Sequence, residues 1–317
     1  MSLLKLHLSM LASLAALGAF LTFVFGLVIL FYGPSTSVVG GIAWAVGLAV
    51  ITTLLQWYIA PWLIKMMTRM QELDERQYNW IHSFVEKTAA ANGIKKPKLY
   101  FVNDVTPNAF AFGRTKNNAN IAIHSGLLER LNKEEVEAVL CHEIGHVVHW
   151  DVAVITAASL VPRILYFLVL TFFVPRDENG RVTIVGMIAS YVAAFAVEMI
   201  ASLMVMWLSR TREMYADEFS AQSTRQPRHL ESALAKIGYA FPAVATTQYK
   251  GMRQFYLADP VNSAAISQEI ASSPQSGNWV QKAMVEEKAK GSLFRLFSTH
   301  PPTFQRIENL RELEKRL

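Results

Sequence analysis

The chain of 317 residues is 52% hydrophobic and only 17% charged, with a formal net charge of +5. So low a charged fraction argues against a wholly soluble protein of average composition. The single cysteine, Cys141, excludes an intrachain disulfide, and we expect it to be a small buried thiol. The sequence has no nucleic-acid-binding signature, so we expect no nucleic acid as a partner. The positive charge instead predicts contact with the headgroups of a lipid bilayer.

Four long apolar runs, at about residues 9–31, 37–60, 152–174 and 183–208, explain this composition. Each reaches the ~20 residues that a helix needs to cross a bilayer. The first run is too long for a signal peptide, and the second follows after a gap of five residues, so both are predicted to be retained helices. The connectors after the first and third runs hold only two basic residues, so the positive-inside rule places the rest of the chain in the cytoplasm.

The first cytoplasmic stretch combines one helix with short strands. Residues 77–92 predict the helix, and Lys98–Val102 and Ala119–His124 are strand-like, with Ala109–Gly113 between them. These runs predict a small sheet next to the following helix.

That helix begins at Asn132 and carries an H-E-x-x-H motif formed by His142, Glu143 and His146. Asn132 is a candidate N-cap, and Glu135 three residues later completes a capping box. Histidines one turn apart share a helix face, so both can reach one zinc ion while the glutamate faces the same pocket. The alternative is two ordinary histidines on a surface or core helix. Four apolar residues at helical spacing should face a core: Val136, Val139, Leu140 and Ile144.

Two charged residues lie within the third and fourth apolar runs. Arg163 is eleven residues into the third run, and Glu198 is ten residues from the inner end of the fourth, so both should lie at a similar depth. Because an unpaired charge in a membrane is costly, we predict an intramembrane ion pair between them. The alternative is a water-filled cleft lined by both, which could be a substrate route.

Glu213 is the candidate third metal ligand, because catalytic zinc usually takes three protein ligands. It lies five residues after the fourth run, and His146 lies six residues before the third, so both should stand about 8–9 Å above the membrane core. Asp217 shares its helix face and could accept a hydrogen bond from a ligand histidine. The alternative is a helix face that forms salt bridges with Arg210 and Arg212.

The second cytoplasmic stretch predicts helices at 210–223, 227–241 and 303–316. Residues 243–278 have no clean period and predict a loop-rich, mobile or lid-like segment. The predicted domains are an N-terminal two-helix membrane hairpin (1–62), a first catalytic part with the H-E-x-x-H helix (63–151), a second membrane hairpin (152–208) and a second catalytic part with the third ligand (209–317).

With these motifs the chain resembles the HtpX-like membrane zinc metallopeptidases, which share a motif set with the CAAX prenyl endopeptidases. The resemblance covers the chain except for residues 243–292. The matching segments are His142–His146 followed by Asp151, Arg212–Asp217, Asn108–Gly113, and Ser298–Pro302 followed by Arg306 and Ile307.

The resemblance implies a mainly α integral membrane fold, with four transmembrane helices and a cytoplasmic zincin-like (gluzincin) α+β catalytic domain holding a small sheet. It implies a multi-pass protein of the bacterial cytoplasmic (inner) membrane that cleaves misfolded or damaged membrane proteins in quality control and stress response. It also implies that Asn108–Gly113 is an edge strand that takes the substrate backbone as an added strand, with Asn108, Ala109 and Phe110 as substrate-binding residues. Asp151 is expected to orient the end of the active-site helix.

The predicted mechanism uses one zinc ion per chain, held by His142, His146 and Glu213, to polarise the scissile carbonyl and activate water. Glu143 takes the water proton and passes it to the leaving amine. His300, which the resemblance places near the metal, is a possible donor to the oxyanion.

Two other functions fit part of these observations. A CAAX-type prenyl-protein endopeptidase would have the same motifs but more membrane spans than the four predicted here. A non-catalytic membrane protein with structural zinc would need no base, and the intact Glu143 argues against it.

Overall fold

The structure is a computed structural model of the chain. It describes residues 8, 11–12, 15–21, 23–25, 28, 36–175, 177–240, 279–289 and 300–317. Much of the first predicted span, and all of the predicted lid-like segment 243–278, lie outside the described residues.

The described residues are mainly helical. The helices are Thr36–Thr68 (α1), Asn79–Ala91 (α2), Ser125–Arg130 (α3), Lys133–Val148 (α4), Asp151–Phe172 (α5), Ile184–Thr224 (α6), Pro227–Ala235 (α7), Trp279–Ala289 (α8) and Thr303–Glu314 (α9). A π-helical turn, Lys236–Ala240, extends α7. The strands are Gln71–Glu72 (β1), Lys98–Val102 (β2), Ala109–Gly113 (β3) and Ala119–His124 (β4).

Within the described part of the chain, three helices are long and apolar enough to cross a membrane, namely α1, α5 and α6. They correspond to the second, third and fourth predicted spans. Helix α6 has 41 residues and continues without a break into the segment predicted as a separate helix at 210–223. It contains no proline, and its one glycine lies in the first turn, so nothing in its sequence interrupts the backbone hydrogen bonds.

The chain divides into two compact units. The helical unit comprises His7–Ala60 and Ala153–Leu208, and the sheet unit includes Pro61–Val152 and Ser209–Leu317. Both predicted cytoplasmic stretches thus contribute to one unit.

The sheet has the strand order β1-β2-β4-β3. Strands β2 and β4 are parallel, whereas β1 and β3 are antiparallel to their neighbours, so β3 is an edge strand of this sheet. Alternate residues face opposite sides, as the twofold period of a strand requires. Ile121 and Ile123 pack into the main core with Val139 and Leu140 of α4, whereas Ala122 lies on the other face.

In the helical unit, α5 contributes Leu165 and Leu168 to an apolar cluster that includes Ala201 of α6. Arg163 Nη1 lies 3.8 Å from Glu198 Oε1, so the two charges predicted to pair are neighbours across α5 and α6.

Candidate metal centre

Helix α4 begins as its sequence predicts. The side chain of Asn132 accepts a hydrogen bond from the Glu135 backbone N–H, and Glu135 Oε2 accepts one from the Asn132 N–H. This capping box fixes the start of the helix and therefore the rotation of its motif face. The four predicted core residues, Val136, Val139, Leu140 and Ile144, are all buried, which confirms their role.

Cys141 is also fully buried, as expected. Burial raises the pKa of its thiol to about 11, so the thiolate is scarce at neutral pH. The cysteine next to the first ligand is therefore a packing residue.

Three side chains converge where α4 faces α6. His142 Nε2 lies 3.2 Å from His146 Nε2. Glu213 Oε2 lies 3.5 Å from His142 Nε2, and Glu213 Oε1 lies 3.4 Å from His146 Nε2. All three side chains sit in one group suited to holding a metal ion.

The close packing of α4 on α6 depends on Gly145. A Cβ atom at this position would lie 3.2 Å from the Ala216 Cα and 3.1 Å from a ring carbon of Phe219. The glycine between the two histidines thus lets the backbones approach. Ser220 of α6 also donates a hydrogen bond to the Ala138 carbonyl of α4 at 2.7 Å.

The geometry of the three ligands fits a tetrahedral zinc ion. Atoms about 2.0–2.2 Å from such an ion stand roughly 3.3–3.6 Å apart. The two histidine nitrogens are 3.2 Å apart, the two Glu213 oxygens lie 3.4 and 3.5 Å from one histidine each, and one ligand atom from every residue lies within 4.8 Å of the others. The charges fit as well, because four carboxylates and two guanidinium groups surround two histidines. With neutral histidines, two negative charges remain, which one divalent cation would balance. The charged groups are Glu143, Asp151, Glu213, Asp217, Arg212 and Arg306.

His142 is supported from behind by Asp217, whose Oδ1 lies 2.9 Å from His142 Nδ1. The contact that the sequence assigned to Asp217 is therefore present, although its effect on the metal stays a prediction. Arg306 of α9 donates to both oxygens of Asp217, through Nε at 2.9 Å and Nη2 at 2.6 Å. Arg306 is almost fully buried, and its Nη1 lies 3.6 Å from Glu213 Oε2.

His146 has a matching support that sequence reasoning did not assign. Asp151 Oδ2 lies 2.6 Å from His146 Nδ1, and Arg212 donates to the other oxygen of Asp151. Arg212, considered above as a salt-bridge partner on the Glu213 helix face and as the first residue of a matching motif, is buried. Burial alone would lower the pKa of His146, but Glu213 and Asp151 outweigh it and raise the pKa to about 10. The site therefore strongly favours positive charge next to this imidazole.

Glu143, the predicted base, is buried beside the two histidines. Its Oε2 accepts a hydrogen bond from the Ala111 N–H of edge strand β3 at 2.7 Å. The pKa of its carboxyl is raised, because the effect of burial is larger than the opposite effect of His146 and His142. A carboxylate whose pKa is raised is a stronger base than an exposed glutamate.

His300 also lies at the centre, with Nδ1 3.0 Å from Glu213 Oε2. Burial alone would raise the pKa of Glu213, but His300 and His146 hold it well below its ordinary value. The structure thus brings His300 to the third ligand, whereas its predicted action on an oxyanion stays a prediction.

Strand β3 divides the residues predicted to bind substrate. The Asn108 carbonyl accepts a hydrogen bond from the His124 N–H, so backbone groups at 108 and 110 face β4. Those of Ala109 and Ala111 face the other side, where Ala111 reaches Glu143. Asn108 and Phe110 therefore direct their backbone groups into the sheet, and Ala109 directs its groups toward the edge.

A small mixed sheet, long apolar helices and a His-His-Glu group with a further glutamate buried beside it are the features of a membrane metallopeptidase. The chain belongs to peptidase family M48, whose model matches residues 75–314. This confirms the resemblance found in the motifs.

The chain is similar over most of its length to proteins named protease HtpX homolog. It is 34% identical over 280 residues to the one from Aeropyrum pernix, covering 85% of this chain and 86% of that protein. It is 33% identical over 281 residues to the one from Methanocaldococcus jannaschii, covering 86% and 88%. Among solved structures, S. mikatae Ste24p matches with a TM-score of 0.57 and 15% identity, over 97% of this chain and 67% of that chain, which shows a shared fold.

Proposed function

We propose that this membrane metalloprotease is a zinc-dependent endopeptidase of the bacterial cytoplasmic membrane. It would cleave misfolded or damaged membrane proteins at the cytoplasmic face. The observation that carries the proposal is the group formed by His142, His146 and Glu213, with Glu143 buried beside it. Oxygen and nitrogen ligands with one carboxylate are typical of catalytic zinc, whereas structural sites usually use more cysteine.

Each side chain of the centre has a distinct task in this proposal. His142, His146 and Glu213 would hold the zinc, which as a Lewis acid polarises the scissile carbonyl and activates water. Glu143 takes a proton from the attacking water and delivers it to the leaving amine. His300, 3.0 Å from Glu213, steadies the third ligand and is close enough to the centre to donate to a developing oxyanion.

Substrate would bind in extended form along strand β3. The edge position of β3, the outward backbone groups of Ala109 and the outward carbonyl of Ala111 favour addition of a substrate strand. The hydrogen bond from Ala111 to Glu143 supports this arrangement, since it places the edge strand directly beside the base. A peptide added there would present its carbonyl groups to the metal centre.

The four proposed spans rest on the apolar segments, and the proposed cytoplasmic site rests on the distribution of charge. Three spans correspond to helices α1, α5 and α6, and the apolar run at 9–31 would supply the fourth. Most basic residues lie outside the two short connectors, so the sheet unit would be cytoplasmic by the positive-inside rule.

The proposal is tested with the full chain in liposomes and a destabilised membrane protein as substrate. Glu143→Gln should retain zinc and lose at least about 100-fold in cleavage rate, because only the base is removed. Glu134→Gln, at an exposed position in the first turn of the same helix, is the matched control and should cleave normally. Cleavage by Glu143→Gln at the wild-type rate would contradict the mechanism.

The same assay separates the alternative functions when a prenylated C-terminal peptide is offered as a second substrate. Cleavage restricted to prenylated C-terminal peptides would indicate the CAAX-type enzyme. Zinc that is bound but supports no cleavage of either substrate would indicate a structural site.

A further inference from the structure

Asp151 and Arg212 form a buried pair directly behind the ligand His146. One oxygen of Asp151 contacts His146 Nδ1 at 2.6 Å. The other accepts from Arg212 Nε at 2.6 Å and also from Arg212 Nη2, which in addition donates to the His149 carbonyl. Both side chains are less than a tenth exposed. Two nitrogens of one guanidinium thus hold a single oxygen of the carboxylate, and the other oxygen is directed at the histidine.

The backbone between the two helices makes this contact possible. Had α4 continued, position 151 would lie about 140° around the helix from His146, at 100° per residue, and would face away from it. Instead α4 ends at Val148, and Trp150 adopts φ +61°, a left-handed conformation that is rare for a bulky residue. The regular helix is interrupted there, and α5 starts at Asp151, whose carboxylate lies within hydrogen-bond distance of His146 Nδ1.

We propose that Asp151 and Arg212 are positioning residues for the metal ligand His146, and that the left-handed backbone at Trp150 sets their geometry. A hydrogen bond donated by Nδ1–H to Asp151 fixes the tautomer in which Nε2 is free to bind metal. Arg212 holds the carboxylate in the orientation that accepts this hydrogen bond. The two ligand histidines would then be supported alike, His142 by Asp217 and Arg306 from α9, and His146 by residues at the start of α5 and within α6.

The inference rests on the proposed zinc site and is tested by zinc affinity, which does not depend on cleavage. The full chain in detergent is stripped of metal and titrated with zinc against a chromophoric chelator. Asp151→Asn should weaken zinc binding by about 10- to 100-fold, the usual effect of losing such an outer partner. Arg212→Lys should also weaken it, because a single ammonium lacks the planar fork of nitrogens that contacts both Asp151 Oδ1 and the His149 carbonyl. Asp74→Asn and Arg228→Lys, at exposed positions, are the matched controls and should bind zinc normally.

A double variant tests whether the two residues act as one unit. The loss in Asp151→Asn with Arg212→Lys should be close to that of Asp151→Asn alone, since Arg212 acts through Asp151. Fully additive losses would overturn the pairing. A lower unfolding temperature with unchanged zinc affinity would overturn the positioning role and leave a purely structural one. If the wild type itself fails to bind one zinc per chain, the proposed metal site fails instead.

Position 150 provides a second test that leaves both charged residues intact. Trp150→Gly should keep the wild-type zinc affinity, because glycine adopts a positive φ without strain. Trp150→Val should lower it, because a β-branched residue resists that conformation and would displace Asp151. Both variants lose the contact between the tryptophan ring and Lys116, so that contact cannot account for a difference. Equal affinities would contradict the role of the left-handed turn.

Discussion

Replacing Arg306 with methionine should destabilise the sheet unit far more than an ordinary surface change. The side chain is 1% exposed and forms two hydrogen bonds with Asp217, which is itself fully buried. Arg306→Met keeps a long apolar side chain but leaves a buried carboxylate with His142 as its main partner. The cost therefore comes from an uncompensated charge rather than from lost volume.

The loss of unfolding free energy can be compared with that of replacing a second arginine, Arg311, on the same helix. Removing one partner of a buried ion pair costs about 3–5 kcal/mol. Arg311 of α9 pairs with Glu231 at 2.8 Å, but its side chain is 41% exposed. Such surface pairs contribute about 0–1 kcal/mol, so Arg306→Met should cost at least about 2 kcal/mol more than Arg311→Met.

The assay is urea unfolding of the full chain in detergent, followed by tryptophan fluorescence. Arg306→Met should shift the unfolding midpoint strongly and Arg311→Met only slightly. Adding Asp217→Asn to Arg306→Met should recover part of the loss, because the unpaired charge is then removed. Equal shifts for the two arginine variants would refute the reasoning.

Three further predictions concern helix α4 and the helical unit. Gly145→Ala should cost about 1–3 kcal/mol in urea unfolding and weaken zinc binding, since its Cβ would press on the Ala216 Cα at 3.2 Å and a Phe219 ring carbon at 3.1 Å, and the Ala216 backbone can give way only if α6 shifts; unchanged values would contradict that packing. For Glu135, burial raises the carboxyl pKa, but Lys236 and Ser232 outweigh it and lower the pKa below 4.5. The stabilisation by Glu135 is therefore present above that pH and lost as pH falls through the lowered pKa, so wild type and Glu135→Gln should converge in stability in acid; a constant difference would argue against this. Arg163→Glu and Glu198→Arg should each reduce the folded yield in membranes, and the double reversal should restore it; absence of rescue would exclude the ion pair.

Local signals made helix α4 and the sheet predictable from sequence. The capping box, the apolar spacing and the H-E-x-x-H motif all depend on residues within one helix, and the observed α4 has each of them. Strands β2, β3 and β4 have the predicted bounds, because each is a short apolar run between turn residues. Glu213 could be proposed because zinc chemistry requires a third ligand.

The residues that contact the ligand histidines from behind could not be predicted from local sequence in this way. Arg306 reaches Asp217 from 89 residues away, through the packing of α9, and Arg212 reaches Asp151 across 61 residues. The role of Asp151 depends on the left-handed backbone at Trp150. A positive φ is rare for tryptophan, so the residue type does not predict this conformation. The spacing of Asp151 five residues after His146, with Arg212 next to Glu213, is the signal that was available.

The central claim is that His142, His146 and Glu213 hold one catalytic zinc ion, and zinc X-ray absorption of the purified full chain tests it most directly. The account predicts one zinc per chain, with only nitrogen and oxygen ligands at about 2.0–2.2 Å and the scattering pattern of two imidazoles. Glu213→Ala should lower the zinc content. A sulfur ligand at about 2.3 Å, which only Cys141 or a methionine could supply, or a shell without two imidazoles, would contradict it.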